Sequence, residues 1–168
     1  GTWNVQVVRA NRAHPEMADG VGNTYNHAPN ITWWRGQFYL AYLSNPVHEH
    51  LGAGRTFLCT SPDALHWSKP RTLFEPYPLD LSLDNGPHSD LFEEGNAYAC
   101  MHQRMNFYIA PDGRLLALGF YGLAPEVFTM PCMGNGIGRM VREIYPDGTF
   151  GPVYVALYST RCGYNREN

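Results

Sequence analysis

Two stretches decide the fold: "GRTFLCTSPDALHWSKPRTLF", residues 54–74, and "GRMVREIYPDGTFGPVYVAL", residues 138–157. Each opens with Gly-Arg (Gly54-Arg55, Gly138-Arg139), runs on as an apolar-rich strand, turns at Pro-Asp (Pro62-Asp63, Pro146-Asp147) and resumes after a proline (Pro70, Pro152). The segments upstream of both repeat as well. "ITWWRGQFYLAYLSN" (31–45) and "FYIAPDGRLLALGFYG" (107–122) are each two apolar strands around a tight glycine turn, Arg35-Gly36 and Pro111-Asp112-Gly113. The two halves are offset by about 80 residues, a spacing that calls for tandem structural units. Each unit supplies four strands: 29–34, 37–44, 54–60 and 70–74, then 104–110, 114–120, 138–145 and 152–158.

Composition agrees. In 168 residues there are 17 glycines and 13 prolines, aromatics reach 14% and charged residues only 16%, a mix rich in turn formers and poor in helix formers. Four-stranded antiparallel units in tandem specify an all-β chain of β-propeller blades, because each unit needs neighbours to bury its faces. Propellers close with about four to eight blades, so two blades imply a fragment of a larger propeller; a two-sheet sandwich is the alternative. The expected organisation is an N-terminal strand at 3–9, a blade at 28–78 and a blade at 98–160 within one partial propeller domain. The partners implied are the remaining blades of the parent chain or a partner chain.

The net charge of −3 gives no basis for a nucleic-acid surface. No apolar run is long enough to span a bilayer, so no membrane span is expected. Cys59, Cys100, Cys132 and Cys162 form no CxxC pair, which leaves a zinc ribbon or redox motif without support and any disulfide pairing open.

Meander connectivity sorts the remaining residues between two edges. The tight turns, including "SPDALHW" (61–67), fall on one edge; there Ser61 and Asp63 cap the turn and Trp67 packs beneath it. The long loops 44–54 and 121–138 fall on the other, as expected of a functional rim on a rigid scaffold. His27 precedes the first strand of the first blade on this loop edge, and His48 and His50 lie in its 2→3 loop. Tyr121 ends the second strand of the second blade and Arg139 opens its third, with Arg55 in the matching Gly-Arg of the first. Gln103 and Arg104 stand in the second repeat where His27 stands in the first. Singly, each has a plainer role: a histidine bonding a loop carbonyl, a tyrosine in the core, solvated loop residues. A lone His-x-His is half a metal site at best. Two imidazoles, a phenol and a guanidinium delivered to one edge by four elements make a candidate catalytic set of His27, His48, Tyr121 and Arg139. Arg104, Gln103, His50 and Arg55 are candidates for binding substrate. The acidic stretch 80–96, with Asp80, Asp84, Asp90, Glu93 and His88, lacks calcium-loop spacing and reads as a connector.

"SPDALHW" resembles the Asp-box turn of sialidase-like propellers, SxDxGxTW, departing at Leu65 where glycine is usual. Together, "YNHAP", "YLSNPVHEH", "FYG" and "GRMVREI" resemble the seven-bladed propellers that degrade rhamnose–uronate glycans, polysaccharide lyase families 24, 25 and 27 and glycoside hydrolase family 145. In those lyases two histidines about twenty residues apart, with a later Tyr and Arg, form the site; His27 and His48 are 21 apart here. The resemblance implies cleavage at a uronic acid in an acidic oligosaccharide or polysaccharide, with an extracellular or periplasmic location. Arg139 would neutralise the carboxylate and so acidify the C5 proton. His27 and His48 would be the acid–base pair and Tyr121 a proton donor or support. No cofactor is implied; a structural calcium or zinc would come from other parts of the fold. Two alternatives share the scaffold. One is a hydrolase of the same propeller type, rhamnosidase or sialidase; the latter needs three arginines around its carboxylate, a Tyr–Glu nucleophile pair and an acidic Asp, and ranks lower because the chain lacks the early Arg-Ile-Pro signature of such enzymes. The other is a non-catalytic glycan-binding propeller, with Trp33, Trp34, Tyr42 and Tyr77 stacking on sugars.

Overall fold

The computed structural model describes residues 1–19, 21–49, 54–78, 98–101, 105–124 and 136–159. Its strands are β1 (Tyr25–Trp34), β2 (Gln37–Asn45), β3 (Arg55–Ser61), β4 (Arg71–Phe74), β5 (Tyr77–Pro78), β6 (Tyr98–Met101), β7 (Asn106–Ile109), β8 (Leu115–Ala124), β9 (Gly136–Ile144) and β10 (Phe150–Tyr158). β1 to β4 form a four-stranded antiparallel meander in chain order. The second sheet runs β10-β9-β8-β6-β5, with β7 also paired to β8. β6 and β7 occupy the two halves of one side of β8, Met101 opposite Tyr121 and Asn106 opposite Leu118. They match the two halves of β1, which a bulge breaks between His27 and Asn30. The repeat read from the sequence is thus a repeat of architecture, down to the interrupted first strand.

The turn chemistry fixes the register. Arg35 and Gly36 both take positive φ, 48° and 78°, the geometry of the two-residue hairpin turn that suits the twist of paired strands. It sets Trp34 opposite Gln37, and β2 then pairs β3 from Phe38–Ser61 to Ser44–Arg55. At the β3–β4 turn, Asp63 accepts the backbone N–H groups of Leu65 (2.9 Å) and His66 (2.8 Å) and holds the His66 ring at 2.7 Å. These bonds, the His66 ring first, hold its carboxyl well below the usual carboxylate range. Asp112 and Asp147 close the corresponding turns of the second blade, accepting from Arg114 and Thr149.

The core lies between the sheets. Tyr39, Ala41, Leu43, Leu58, Leu73 and Phe74 of the first sheet pack against Leu115, Ala117, Met140 and Ile144 of the second, with Met105 and Trp34 at its margins. Polar bonds stitch the same interface. Trp34 Nε1 donates to Gly113 O (2.9 Å) and Arg71 Nη1 to Gly148 O (3.0 Å). Arg142 reaches both ways, Nη1 to Leu73 O and Nε to Gly151 O, each at 2.6 Å. Phe150 lies under the guanidinium groups of Arg71 (4.9 Å) and Arg142 (5.2 Å).

Two differences from the sequence reading stand out. Residues 3–9, expected as a strand, join no sheet among the described residues; of them, Val7 and Val8 pack on the outer face of the first sheet with Tyr42, Phe57 and Cys59. Tyr77 and Pro78 pair with Ala99 and Tyr98, so this short strand extends the second sheet. Cys59 is a free, buried thiol hydrogen-bonded to Tyr42, and burial pushes it up to about 11. The side chains of the other three cysteines fall outside the described residues, as does the acidic connector. No described helix is long and apolar enough to cross a membrane.

Arg142 carries the interface bond whose loss is most costly, because methionine would keep its stem's packing and leave two carbonyls without their donor. Arg142→Met should lower unfolding free energy by on the order of 2 kcal/mol, read as a lower urea midpoint at unchanged m-value.

Candidate functional site

The loop edge is built by the start of β1, the end of β2, the start of β3 and the end of β8. Tyr25 sits opposite Asn45 and His27 opposite Leu43; Ser44 sits opposite Arg55. Asn45, itself buried, organises the loop that follows. Its Nδ2 donates to His48 O (3.2 Å) and Glu49 O (2.7 Å), turning the chain back over the sheet. A Cβ at Gly54 would come within 2.2 Å of Asn45 Oδ1, so the far end of that loop requires glycine. Asn45 Oδ1 and Thr56 Oγ1 are buried without a hydrogen-bond partner, both at this end of the sheet.

His27 is exposed, as a rim residue must be. Tyr25, two residues earlier, shares its face, and the two ring centroids are 5.7 Å apart. Ala28, at φ 48°, carries the bulge that ends this short pairing and lets the strand resume at Asn30. The Tyr25 hydroxyl donates to Glu49 Oε2 at 3.2 Å. Partial burial, and then the Glu49 charge and its hydrogen bond, push the Tyr25 phenol above its ordinary value. A phenol bonded to a carboxylate beside an exposed imidazole is the arrangement that a base-activated nucleophile with a third group requires. The sequence reading overlooked Tyr25 and Glu49. Both were in view, in "YNHAP" and "HEH", but their 24-residue separation closes only through the Tyr25–Asn45 register and the Asn45-braced loop.

The other sequence candidates divide. His48 is in the same loop, with its carbonyl held by Asn45. Arg55 forms an ion pair with Glu75 at 3.6 Å. Tyr121 is 2% exposed; its ring packs against Phe74 and Tyr77, and its hydroxyl donates across the blade interface to the Glu75 carbonyl. A phenol so buried and so engaged is a latch between blades, and the role of rim proton donor does not suit it. Arg139 pairs with Phe120, and its guanidinium is 5.8 Å from that ring. Because Tyr121 pairs with Gly138, the alternation of strand side chains places Arg139 on the other side of the second sheet from Tyr121. The structure therefore brings Tyr25, His27 and Glu49 together, keeps His48 in the same loop, and separates Tyr121 from Arg139. His50, Gln103 and Arg104 lie outside the described residues. Among the described residues no three metal-binding side chains gather.

Two sheets of this topology, packed face to face with loops gathered on one edge, are β-propeller blades. All 168 residues match the family model described as BT_1020-like, N-terminal beta propeller, and the chain belongs to that family. No curated protein matches it. A solved structure named "Sialidase" is 43% identical and superposes with a TM-score of 0.78, covering 98% of this chain and 15% of its own. A xylan beta-1,4-xylosidase from Bacillus halodurans C-125 is 18% identical, with a TM-score of 0.50 over 84% of this chain and 22% of its own, a likeness of fold. The chain thus spans well under two thirds of either protein.

If Tyr121 is a latch, Tyr121→Phe leaves the Glu75 carbonyl unpaired and costs about 1–2 kcal/mol of stability. Turnover by the full-length protein, compared at a temperature where both forms are folded, should stay within a few-fold; a proton donor's loss would instead lower it about 100-fold or more.

Proposed function

We propose that this chain supplies part of the site of a carbohydrate-active propeller that cleaves a glycosidic bond at a carboxylated sugar, and that hydrolysis is its mode. The observation that carries the reading is the Tyr25–Glu49 hydrogen bond of 3.2 Å beside the exposed His27 on the loop edge. In this reaction the Tyr25 oxygen attacks the anomeric carbon as Glu49 takes its proton, and the leaving oxygen receives a proton from His27. Water then releases the sugar from Tyr25 and returns the proton. A phenol in place of a carboxylate as nucleophile suits an acidic sugar, because it meets the substrate's negative charge without a second one. The carboxylate itself calls for a guanidinium fork; Arg12, which donates to Thr24 Oγ1 beside Tyr25 at 3.1 Å, Arg55 and Arg139 are described arginines near this edge. The 43% identity to a protein named "Sialidase" supports the same substrate class.

β-Elimination at a uronate is the second reading, favoured by the exposure of His27 and the placement of His48 in the adjoining loop. It asks for a base, a proton donor and a carboxylate clamp, and the burial of Tyr121 leaves the donor role to the second histidine.

The test uses the full-length protein and oligosaccharides ending in a carboxylated sugar, including rhamnosyl-glucuronate. Sugar release without new ultraviolet absorbance, lost about 100-fold or more in Tyr25→Phe and Glu49→Gln, is the expected result. Release accompanied by the absorbance of an unsaturated uronate would establish elimination. Binding without release from any acidic oligosaccharide would make the edge a glycan-binding surface and overturn both catalytic readings.

A further inference from the structure

At the turn edge of the second sheet, away from the loop edge, a concavity of about 300 Å³ opens between Arg114, Glu143, Tyr145, Gly151 and Tyr154. Leu116 and Val141 close it from behind. The register explains the grouping: Leu116 pairs with Glu143 and Val141 with Tyr154, so all four side chains stand on the side of the sheet turned away from the first blade. The ten-residue strand β8 separates this end of the sheet from the loop edge, about 30 Å at the rise of an extended chain.

Its walls are braced by bonds of their own. Arg114 Nε donates to Asp112 Oδ2 at 2.7 Å, and its Nη1 pairs with Glu143 at 3.6 Å. The Tyr145 N–H donates to Thr149 O and its carbonyl accepts from Gly148, both at 2.9 Å, so the turn fixes where that ring begins. Arg142 Nε holds the Gly151 carbonyl at 2.6 Å. Gly151 is not among the glycines at positive φ, so the backbone there does not call for glycine. Space does: a Cβ at this position would stand 3.0 Å from the Tyr145 hydroxyl and 3.6 Å from Glu143 Cβ. The missing side chain leaves the cleft open. Tyr145 and Tyr154 are 36% and 62% exposed, two phenol rings offered to whatever enters.

We propose that this cleft is a non-catalytic binding site for a neutral saccharide. A sugar ring has an apolar C–H face, which lies flat on an aromatic side chain, and a rim of hydroxyls that both donate and accept. Tyr145 and Tyr154 supply the aromatic surface, and the Arg114–Glu143 pair sets a donor beside an acceptor for neighbouring hydroxyls. The volume sits at the lower end of small-molecule sites, room for about one or two sugar rings. Charge selects the neutral class. One guanidinium stands between the two carboxylates of Asp112 and Glu143, and that excess of negative charge repels a carboxylated sugar. Walls already fixed by their own bonds lose little freedom when a ligand enters. The site would hold a neutral stretch of a glycan a strand's length from the loop edge, and it requires nothing of the reaction proposed there.

Calorimetric titration of the full-length protein with xylotetraose, cellotetraose, galactotetraose and trigalacturonate tests the proposal without any turnover. At least one neutral probe should bind, and trigalacturonate should not displace it. Affinity for that probe should fall about tenfold or more in Tyr154→Ala, whose exposed ring can be removed without opening the core, and in Gly151→Ala, whose added methyl fills the cleft. Tyr25→Phe, at the other edge, should bind it as the parent does. Binding by none of the neutral probes would overturn the proposal, as it would if another part of the full-length chain occupied the cleft. Binding unchanged in Tyr154→Ala, or lost in Tyr25→Phe, would place the saccharide elsewhere and overturn it equally, and displacement by trigalacturonate would contradict the neutral class.

Discussion

A small sheet with apolar side chains on both faces has to be covered twice, and this one constraint organises the molecule. In the first sheet Leu43, Leu58, Leu73 and Phe74 face one way while Tyr42, Phe57 and Cys59 face the other. The second blade satisfies the inner side, and the repeat satisfies it economically: Leu115, Ala117, Met140 and Ile144 meet the first sheet with residues from equivalent strands. Hydrophobic contact alone would let two such sheets slide. Arg142, Arg71 and Trp34 fix their relation by donating to backbone carbonyls of the facing blade, and Tyr121 does the same at the opposite edge. The loop edge inherits its geometry from that fixation, since both sheets end there.

Gly-Arg and Pro-Asp recurrences were enough to read the fold, because turn chemistry is local. Asp63, Asp112 and Asp147 close their turns through neighbours two or three residues away. Strand limits followed from the apolar runs to within a few residues at most ends. The N-terminal strand shows the limit of such reading: Trp3, Val5 and Val7 have the right alternation, but a strand is a relation between two segments, and no described segment pairs with this one.

The candidate site was legible in location and only partly in membership. Meander connectivity put His27, His48 and the long loops on one edge, and the register agrees for the residues described. Connectivity does not say which way a side chain points. Tyr121 sits at the expected height on β8, yet its pairing with Gly138 turns it into the interface, while Arg139 one position on turns away from it. Tyr25 and Glu49 were missed because their contact depends on Asn45, a buried amide whose two loop hydrogen bonds leave no mark on composition or periodicity.

The loop edge joins a rigid floor to groups with chemical work available to them. A bulge at Ala28 releases the first strand just after His27, and the Asn45 hydrogen bonds to the His48 and Glu49 carbonyls turn the loop so that Glu49 meets Tyr25. The central proposal, that Tyr25 is the nucleophile that attacks the sugar, is open to direct chemical capture. The full-length protein would be incubated with a fluorinated acidic-sugar substrate whose covalent intermediate breaks down slowly, then digested and mapped by mass spectrometry. A sugar-sized mass increase on Tyr25, absent in Tyr25→Phe, is the result this account predicts. Labelling of a different residue, with Tyr25 unmodified, would contradict it.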